Sequence, residues 1–163
     1  MPNVFNAAEV LDMGIEKEKK RRDFYGLCAE KFSQKEMKEL FAKLRDWEET
    51  HIKKFNEIRS FIKDPKETEA YEGELDSYMQ ELLDDKLYND VAPSKFSANV
   101  KTLLDAIAYG IGFEKDAIIF FNEIVNYTVD SRKEIIRQLI GEEKQHIVYL
   151  ALLREKVKNR GGV

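Results

Sequence analysis

Two four-residue segments decide the fold that this sequence predicts: Glu48-Glu49-Thr50-His51 and, 95 residues later, Glu143-Lys144-Gln145-His146. In an α-helix, residues three positions apart lie on the same face, so each segment points a carboxylate and an imidazole at one place. The sequence contains only two histidines, and both belong to this pattern. Glu and His at this spacing are typical of a metal site built on helices.

A second pattern repeats upstream of the first. Glu18 is followed seven residues later by Tyr25, and Glu114 is followed seven residues later by Phe121. The copies are offset by 96 residues here and by 95 residues for the two Glu-x-x-His segments. We therefore interpret the chain as two repeated helical hairpins, each with one Glu on its first helix and a Glu/His pair on its second. Together they supply the ligand set of a di-metal carboxylate bundle: Glu18, Glu48, His51, Glu114, Glu143 and His146.

Composition restricts the class of protein. A chain of 163 residues is expected to form one domain, residues 1–163, with a core of its own. Charged residues at 36% beside hydrophobic residues at 43% are typical of long amphipathic helices. Eight glycines and three prolines are too few for a β fold rich in loops. We predict an all-α protein.

Charge and cysteine content exclude several functions. A net charge of -4 and a pI near 5.4 give no general reason to bind nucleic acid or an anionic membrane. The single cysteine, Cys28, excludes an intrachain disulfide framework and is interpreted as a small buried apolar residue. No segment has the pattern of a signal peptide or a transmembrane helix, so we expect a cytoplasmic protein.

Hydrophobic periodicity predicts four long helices. They are expected over residues 7–30, from about Gln34 to just before Asp64-Pro65, from beyond 94–99 to about Asn126, and from about Ser131 to shortly before Gly161. In the second and fourth helices, the two Glu-x-x-His segments occupy positions that are apolar in the turns on either side. The Glu and His side chains therefore interrupt the core face rather than the polar face.

Two S-x-x-E patterns predict helix starts. Ser33 with Glu36, and Ser131 with Glu134, have the spacing of a capping box at the second and fourth helices. Asp130 is the alternative cap of the fourth helix. Glu49 and Glu142 adjoin the candidate ligands but face about 100° away from them, so both are interpreted as surface charges.

An acidic segment connects the second and third helices. Residues 64–90 contain ten acidic and two basic residues. Within it, apolar residues at helical spacing predict a short amphipathic helix: Leu75, Tyr78, Met79, Leu82 and Leu83. A connection of this length allows the second and third helices to run parallel, as in a four-helix bundle with a long crossover. We interpret its acidity as that of a solvated connection, with metal delivery as the less favoured alternative.

Electrostatics indicates what the cluster would bind. Four buried carboxylates are costly unless other charges offset them, and two divalent cations would do so. Mixed carboxylate and imidazole ligation favours iron or manganese, and the lack of thiolate ligands argues against structural zinc. We assign Glu48 and Glu143 as bridging ligands and Glu18 and Glu114 as terminal ligands, with one histidine per metal. The repeat itself does not determine which carboxylates bridge.

The sequence resembles the ferritin-like superfamily, and within it the rubrerythrin-like proteins, over nearly its whole length. The residues that carry the resemblance are Glu18 with Phe24-Tyr25, Glu48-x-x-His51, Glu114 with Phe120-Phe121, and Glu143-x-x-His146. The resemblance implies a ferritin-like four-helix bundle with a centre of two iron ions that reacts with hydrogen peroxide or dioxygen. It also implies that Tyr25, the one candidate catalytic residue, donates a hydrogen bond beside the metal ligands; a plain core aromatic is the alternative for Tyr25 and for Phe121.

The chain departs from the rubrerythrin pattern in three ways. It lacks the four cysteines of a rubredoxin module, so electrons are expected from a separate donor such as a rubredoxin-type protein. One turn after Glu114, Ala117 stands where rubrerythrins have a further Glu ligand. Three residues after Glu18, where such proteins often have a small residue, this chain has Arg21. Its side chain either pairs with a carboxylate of the site or extends outward to solvent.

Three functions are consistent with these residues. The first is an oxidoreductase that reduces peroxide or dioxygen, or oxidises Fe(II). The second is an iron-binding or storage oligomer, and the third is a structural bundle that keeps its metal for stability alone. A homodimer is the expected assembly.

Overall fold

The computed structural model describes residues 6–62 and 74–161, with the backbone only for residues 74–76. Four long helices form the body of the molecule: α1 (Ala7–Lys31), α2 (Lys35–Ser60), α6 (Leu103–Tyr127) and α7 (Lys133–Asn159). Three shorter helices lie in the connection between α2 and α6: α3 (Glu74–Leu83), α4 (Lys86–Asn89) and α5 (Pro93–Asn99). A short 3-10 turn, Asp130–Arg132, precedes α7. The described residues include no strand, so the all-α prediction is confirmed.

Contacts between the long helices define the direction of each one. Residues 32–34 link α1 to α2 in an antiparallel hairpin, and α6 and α7 form a second hairpin. Gly14 of α1 lies against Phe120 and Ile124 of α6, whereas Tyr25, further along α1, contacts Gly110 near the start of α6. Since α1 is antiparallel to both α2 and α6, α2 and α6 run parallel. The predicted bundle with a long crossover is confirmed.

Apolar side chains fill the bundle in two separate clusters. We call the first apolar cluster the group near the C-terminal end of α1, which includes Phe24, Cys28, Phe41, Leu44, Ile107 and Leu150. The second apolar cluster lies toward the other end and includes Leu11, Ile52, Phe55, Phe121, Ile124 and Leu139. Burial of these side chains is the main favourable contribution to folding. The six candidate ligands lie between the two clusters, and we call them the carboxylate layer.

Two helix-capping predictions are wrong. The residue before α2 is Gln34, whose side chain makes no capping hydrogen bond, because the helix begins one residue too late for Ser33 to cap it. Neither Asp130 nor Ser131 caps α7, because both lie inside the 3-10 turn and α7 follows Arg132 without a side-chain cap. An N-cap residue needs an extended backbone, which a helical turn does not provide.

Capping boxes do occur at the starts of the other two long helices. The Asn6 side chain accepts a hydrogen bond from the backbone of Glu9 (2.9 Å), and the Glu9 carboxylate accepts one from the backbone of Asn6 (3.1 Å). Thr102 and Asp105 form the same reciprocal pair at the start of α6, at 3.1 Å and 2.9 Å. These boxes therefore define the first turn of the helix that carries Glu18 and of the helix that carries Glu114.

The connection is only partly the solvated segment that its acidity predicts. The expected short helix is present as α3, and Met79 packs fully buried into the second apolar cluster. Asp85 accepts a hydrogen bond from Lys17 (3.0 Å) and forms an ion pair with Lys20, so this carboxylate attaches the connection to α1. Residues 63–73 of the acidic segment lie outside the described residues. None of the described helices combines the length and the apolar character needed to cross a membrane.

Candidate metal centre

All six side chains of the carboxylate layer converge at mid-height in the bundle. Five of them are fully buried, and His146 is 3% exposed. Glu18 projects from α1, the Glu48/His51 pair from α2, Glu114 from α6 and the Glu143/His146 pair from α7. The three-residue spacing on α2 and α7 places both members of each pair on the inward face.

The six side chains form two overlapping groups that could each hold a metal ion. In the first, Glu18, Glu48, His51 and Glu143 bring their ligand atoms within 4.8 Å of one another. In the second, the same holds for Glu48, Glu114, Glu143 and His146. Glu48 and Glu143 belong to both groups, whereas Glu18 and Glu114 each belong to one.

Both histidines direct Nδ1 toward the carboxylates. His51 Nδ1 lies 3.1 Å from Glu143 Oε1, 3.3 Å from Glu18 Oε2 and 3.4 Å from Glu48 Oε2. His146 Nδ1 lies 2.8 Å from Glu143 Oε2 and 3.6 Å from Glu114 Oε1. The imidazole rings are nearly parallel, with centroids 5.6 Å apart.

The prediction that Glu142 is only a surface charge is wrong. Its carboxylate accepts a hydrogen bond from His51 Nε2 across the α2–α7 interface (2.8 Å) and another from Lys54 (3.2 Å). The hydrogen bond from His51 lowers the pKa of Glu142 to about 2. Glu142 lies four residues before His146, and helical spacing therefore puts it at the edge of the inward face. This spacing is the feature of the sequence that could have indicated its contact with the site. Glu49, by contrast, pairs with Arg22 near the surface (2.9 Å).

Tyr25 contacts a carboxylate of the opposite hairpin. Its side chain is fully buried, and its hydroxyl donates a hydrogen bond to Glu114 Oε1. Burial, and then the negative charges of Glu114 and Glu48, raise the pKa of Tyr25 well above its ordinary value. The hydroxyl therefore keeps its proton.

Arg21 points inward. Its side chain is 2% exposed and forms an ion pair with Glu18. The guanidinium carbon lies 5.6 Å from the centroid of the Phe121 ring. The sequence left two orientations for Arg21, inward to a carboxylate or outward to solvent. The structure shows the inward one, paired with Glu18.

Protonation within the layer is strongly perturbed. Burial and the charges of Glu143 and Glu48 raise the pKa of Glu114 well above its ordinary value. Burial alone would raise the pKa of Glu143, but the adjacent imidazoles of His146 and His51 bring it below its ordinary value. Burial alone would lower the pKa of each imidazole, yet the carboxylates outweigh it: the pKa of His146 rises to about 10, and that of His51 also rises well above its ordinary value.

The carboxylate oxygens fit a cation. Both oxygens of Glu48, both of Glu143, and Oε2 of Glu114 are buried and lack a partner in hydrogen-bonding geometry among the described residues. Buried polar atoms without partners are rare because they lose the hydrogen bonds that water would supply. Carboxylate oxygens with imidazole nitrogens form a donor set that suits iron or manganese. A metal would satisfy the atoms that the protein leaves unpaired.

A groove at the surface reaches the layer between α2 and α7. It encloses about 320 Å³ and is lined by Trp47, Thr50, Lys54, Glu142, Gln145, His146 and Tyr149. The Trp47 ring stacks on His146, with centroids 5.0 Å apart and an interplanar angle of 10°. The groove therefore gives small molecules a route to the edge of the His146 imidazole.

Two antiparallel hairpins that enclose a buried layer of carboxylates and imidazoles define a ferritin-like bundle of the diiron-carboxylate type. The Rubrerythrin family model matches residues 9–153, and the chain belongs to this family. Iron binding is therefore implied for the family. The resemblance deduced from the motifs is confirmed.

One solved structure has the same fold. It is described as a "putative ferritin-like diiron-carboxylate protein" from Thermotoga maritima. The structural match covers 93% of this chain and 96% of the Thermotoga maritima chain. The TM-score is 0.70 at 21% sequence identity. No curated protein matches the chain.

Proposed function

We propose that this protein is a di-iron oxidoreductase that reduces peroxide or dioxygen with electrons from a separate donor protein of the rubredoxin type. One observation carries the proposal: six buried ligand side chains converge, and carboxylate oxygens of Glu48, Glu114 and Glu143 lack hydrogen-bond partners among the described residues. A structural bundle would not need so many unsatisfied acceptors at its centre. Oxidation of Fe(II) at the same centre is the related alternative.

We assign the ligands by the two overlapping groups. Glu18 and His51 would hold one metal, Glu114 and His146 the other, and Glu48 and Glu143 would bridge them. When bound, two irons supply the two electrons that cleavage of an O–O bond requires. Iron is preferred over manganese because the family implies iron.

The residues around the ligands would prepare the centre. Glu142 accepts a hydrogen bond from His51 Nε2, which leaves Nδ1 as the ligand atom and increases its basicity. Tyr25 orients Glu114 by its hydrogen bond and keeps a proton at the hydroxyl oxygen beside the layer. The groove at Trp47 and Tyr149 is the entry that we propose for peroxide.

Reduction of one peroxide consumes two electrons and two protons and gives two waters. We propose that the electrons are replaced by the external donor, in a homodimer that operates in the cytoplasm. Mechanistically, the chain contributes ligand placement, exclusion of bulk water and the fixed protons at His51 and Tyr25.

The test is metal content together with the response to peroxide. Protein purified anaerobically is expected to contain about two irons per chain, and one equivalent of peroxide should change its visible spectrum. The reduced protein should also consume peroxide faster than the same concentration of free Fe(II). No faster consumption would contradict the oxidoreductase proposal.

A matched variant tests the ligand assignment. The Glu48→Gln, Glu143→Gln double variant keeps side-chain size but removes both shared carboxylates, so we expect it to fold and to lose its metal. Full metal occupancy in this variant would contradict the assignment. A measured mass of many subunits, rather than two, would favour the storage alternative.

A further inference from the structure

The two halves of the carboxylate layer differ in what surrounds their terminal carboxylates. The 96-residue offset pairs Glu18 with Glu114, and it pairs Arg21 with Ala117. It also pairs Tyr25 with Phe121. Equivalent carboxylates therefore have neighbours of different charge.

On the Glu18 side, the neighbour is a buried cation. Arg21 Nη2 forms an ion pair with Glu18 Oε1, and Arg21 Nε lacks a hydrogen-bond partner among the described residues. The other oxygen of Glu18 lies 3.3 Å from His51 Nδ1. Glu18 is therefore shared between a guanidinium and the centre of the layer.

On the Glu114 side, the position equivalent to Arg21 carries no charge. The Tyr25 hydroxyl donates a hydrogen bond to Glu114, and Ala117 is fully buried and carries no charge. Oε2 of Glu114 has no hydrogen-bond partner among the described residues. Among the described residues, no guanidinium pairs with this carboxylate, so its Oε2 atom remains available as a metal ligand.

We infer that the two metal positions have unequal affinity, and that Arg21 sets the difference. The position of Glu114 and His146 binds a divalent cation first, and the position of Glu18 and His51 binds the second more weakly. A guanidinium keeps its positive charge at physiological pH, so it repels a nearby dication and competes for the Glu18 carboxylate. The complete two-metal centre would then form only when free metal is high enough to fill the weaker position. This inference depends on the proposed function.

Glu142 acts in the opposite direction but more weakly. Its negative charge, through His51, favours a metal at the Glu18 position. Its side chain is 45% exposed, and Lys54 at 3.2 Å offsets its charge. Arg21 contacts a ligand carboxylate directly in the interior, where screening by water is small. We therefore expect the effect of Arg21 to dominate.

The test is a titration of metal-free protein with Co(II), followed by visible absorption and calorimetry. We expect two phases whose dissociation constants differ by about tenfold or more, the scale of a single charge effect inside a protein. His146→Ala should remove the tight phase, and His51→Ala should remove the weak phase. Arg21→Met should tighten the weak phase at least several-fold and bring the two constants together.

Arg22→Met is the matched control. It removes the same charge one residue further along α1, where the guanidinium pairs with Glu49 and is 30% exposed. We expect it to leave both constants unchanged. Circular dichroism would establish whether each variant folds. If Arg21→Met does not fold, the two histidine variants still test the order in which the metal positions fill.

Several results would overturn the inference. Two equal constants in the unmodified protein, or loss of the tight phase in His51→Ala, would contradict the proposed order of filling. An unchanged ratio in folded Arg21→Met would exclude Arg21 as its cause. Failure to bind any Co(II) would overturn the metal centre itself, so the two failures are distinguishable.

Discussion

Single residues of the carboxylate layer determine the protonation of the metal-free protein. His146 is almost completely buried, yet two carboxylates from different helices raise the pKa of its imidazole to about 10. His51 is perturbed in the same direction by Glu142, Glu143 and Glu48. Metal binding at Nδ1 requires loss of these protons, so the layer exchanges bound protons for bound metal.

At this scale we predict a pH dependence of stability in the metal-free protein. The folded pKa of His146 is above the unfolded value of about 6.5, so its contribution is full below pH 6.5 and is lost as the pH rises through about 10. Chemical denaturation of chelated protein from pH 6.5 to 9.5 should therefore show a falling free energy of unfolding.

The same series on His146→Gln is the control, and its slope over this range should be smaller. Metal-loaded protein should also show a flatter profile, because its imidazoles are neutral. A profile of the unmodified metal-free protein that rises with pH would contradict the assignment of charged imidazoles.

Among the structural elements, α6 shows most clearly how a helix start supports the site. Thr102 and Asp105 cap the helix reciprocally, and the same helix then carries Glu114 to the centre of the bundle. α7 begins differently, after a 3-10 turn whose Asp130 pairs with Lys133, the first residue of α7, at 2.7 Å. The S-x-x-E pattern there makes no capping hydrogen bond.

At this scale we predict unequal effects of two substitutions at helix starts. Thr102→Ala removes a hydrogen bond to an otherwise unpaired backbone donor and should lower the free energy of unfolding by about 1 kcal/mol. Ser131→Ala, at an exposed position without a capping role, should change it by less than about 0.5 kcal/mol. Urea denaturation in the same metal state would measure both, and an equal loss would contradict the capping roles found here.

The whole molecule consists of two apolar clusters separated by a charged layer. The clusters stabilise the bundle whether or not metal is present, whereas the layer buries carboxylates whose charge the protein offsets only in part. Metal that binds the folded state alone shifts the equilibrium toward it.

At this scale we predict that chelation lowers the melting temperature without unfolding the bundle. Free metal at 100 times its dissociation constant adds about 2.7 kcal/mol per site to the free energy of unfolding. In a chain of this size, this raises the melting temperature by roughly 5–10 °C per site. Differential scanning calorimetry before and after chelation, with circular dichroism for helix content, measures this.

The Glu48→Gln, Glu143→Gln variant supplies the comparison. Without metal it should melt at or above the temperature of the chelated unmodified protein, since it removes buried like charges that metal otherwise offsets. Identical melting of the chelated and loaded unmodified protein would show that the layer does not couple metal to folding.

The sequence by itself determined the features that depend on spacing along one helix. The Glu-x-x-His segments, their 95-residue offset and the apolar positions around them predicted the bundle and the burial of the candidate ligands. The length of the acidic connection predicted its crossover. Helical geometry is local and periodic, so three-residue spacing already places Glu48 with His51, and Glu143 with His146, on one face.

Only the tertiary structure decided the contacts that cross between helices. The hydrogen bond from His51 to Glu142, the inward direction of Arg21 and the bond from Tyr25 to the opposite hairpin depend on how neighbouring helices are rotated and how far a side chain reaches. The true caps likewise depend on the path by which the chain enters each helix. His51 and Glu142 are 91 residues apart, and Tyr25 and Glu114 are 89 residues apart, so no periodicity within a single segment contains these contacts. Arg21 and the caps have partners only three residues away, but their direction depends on how the chain packs around them.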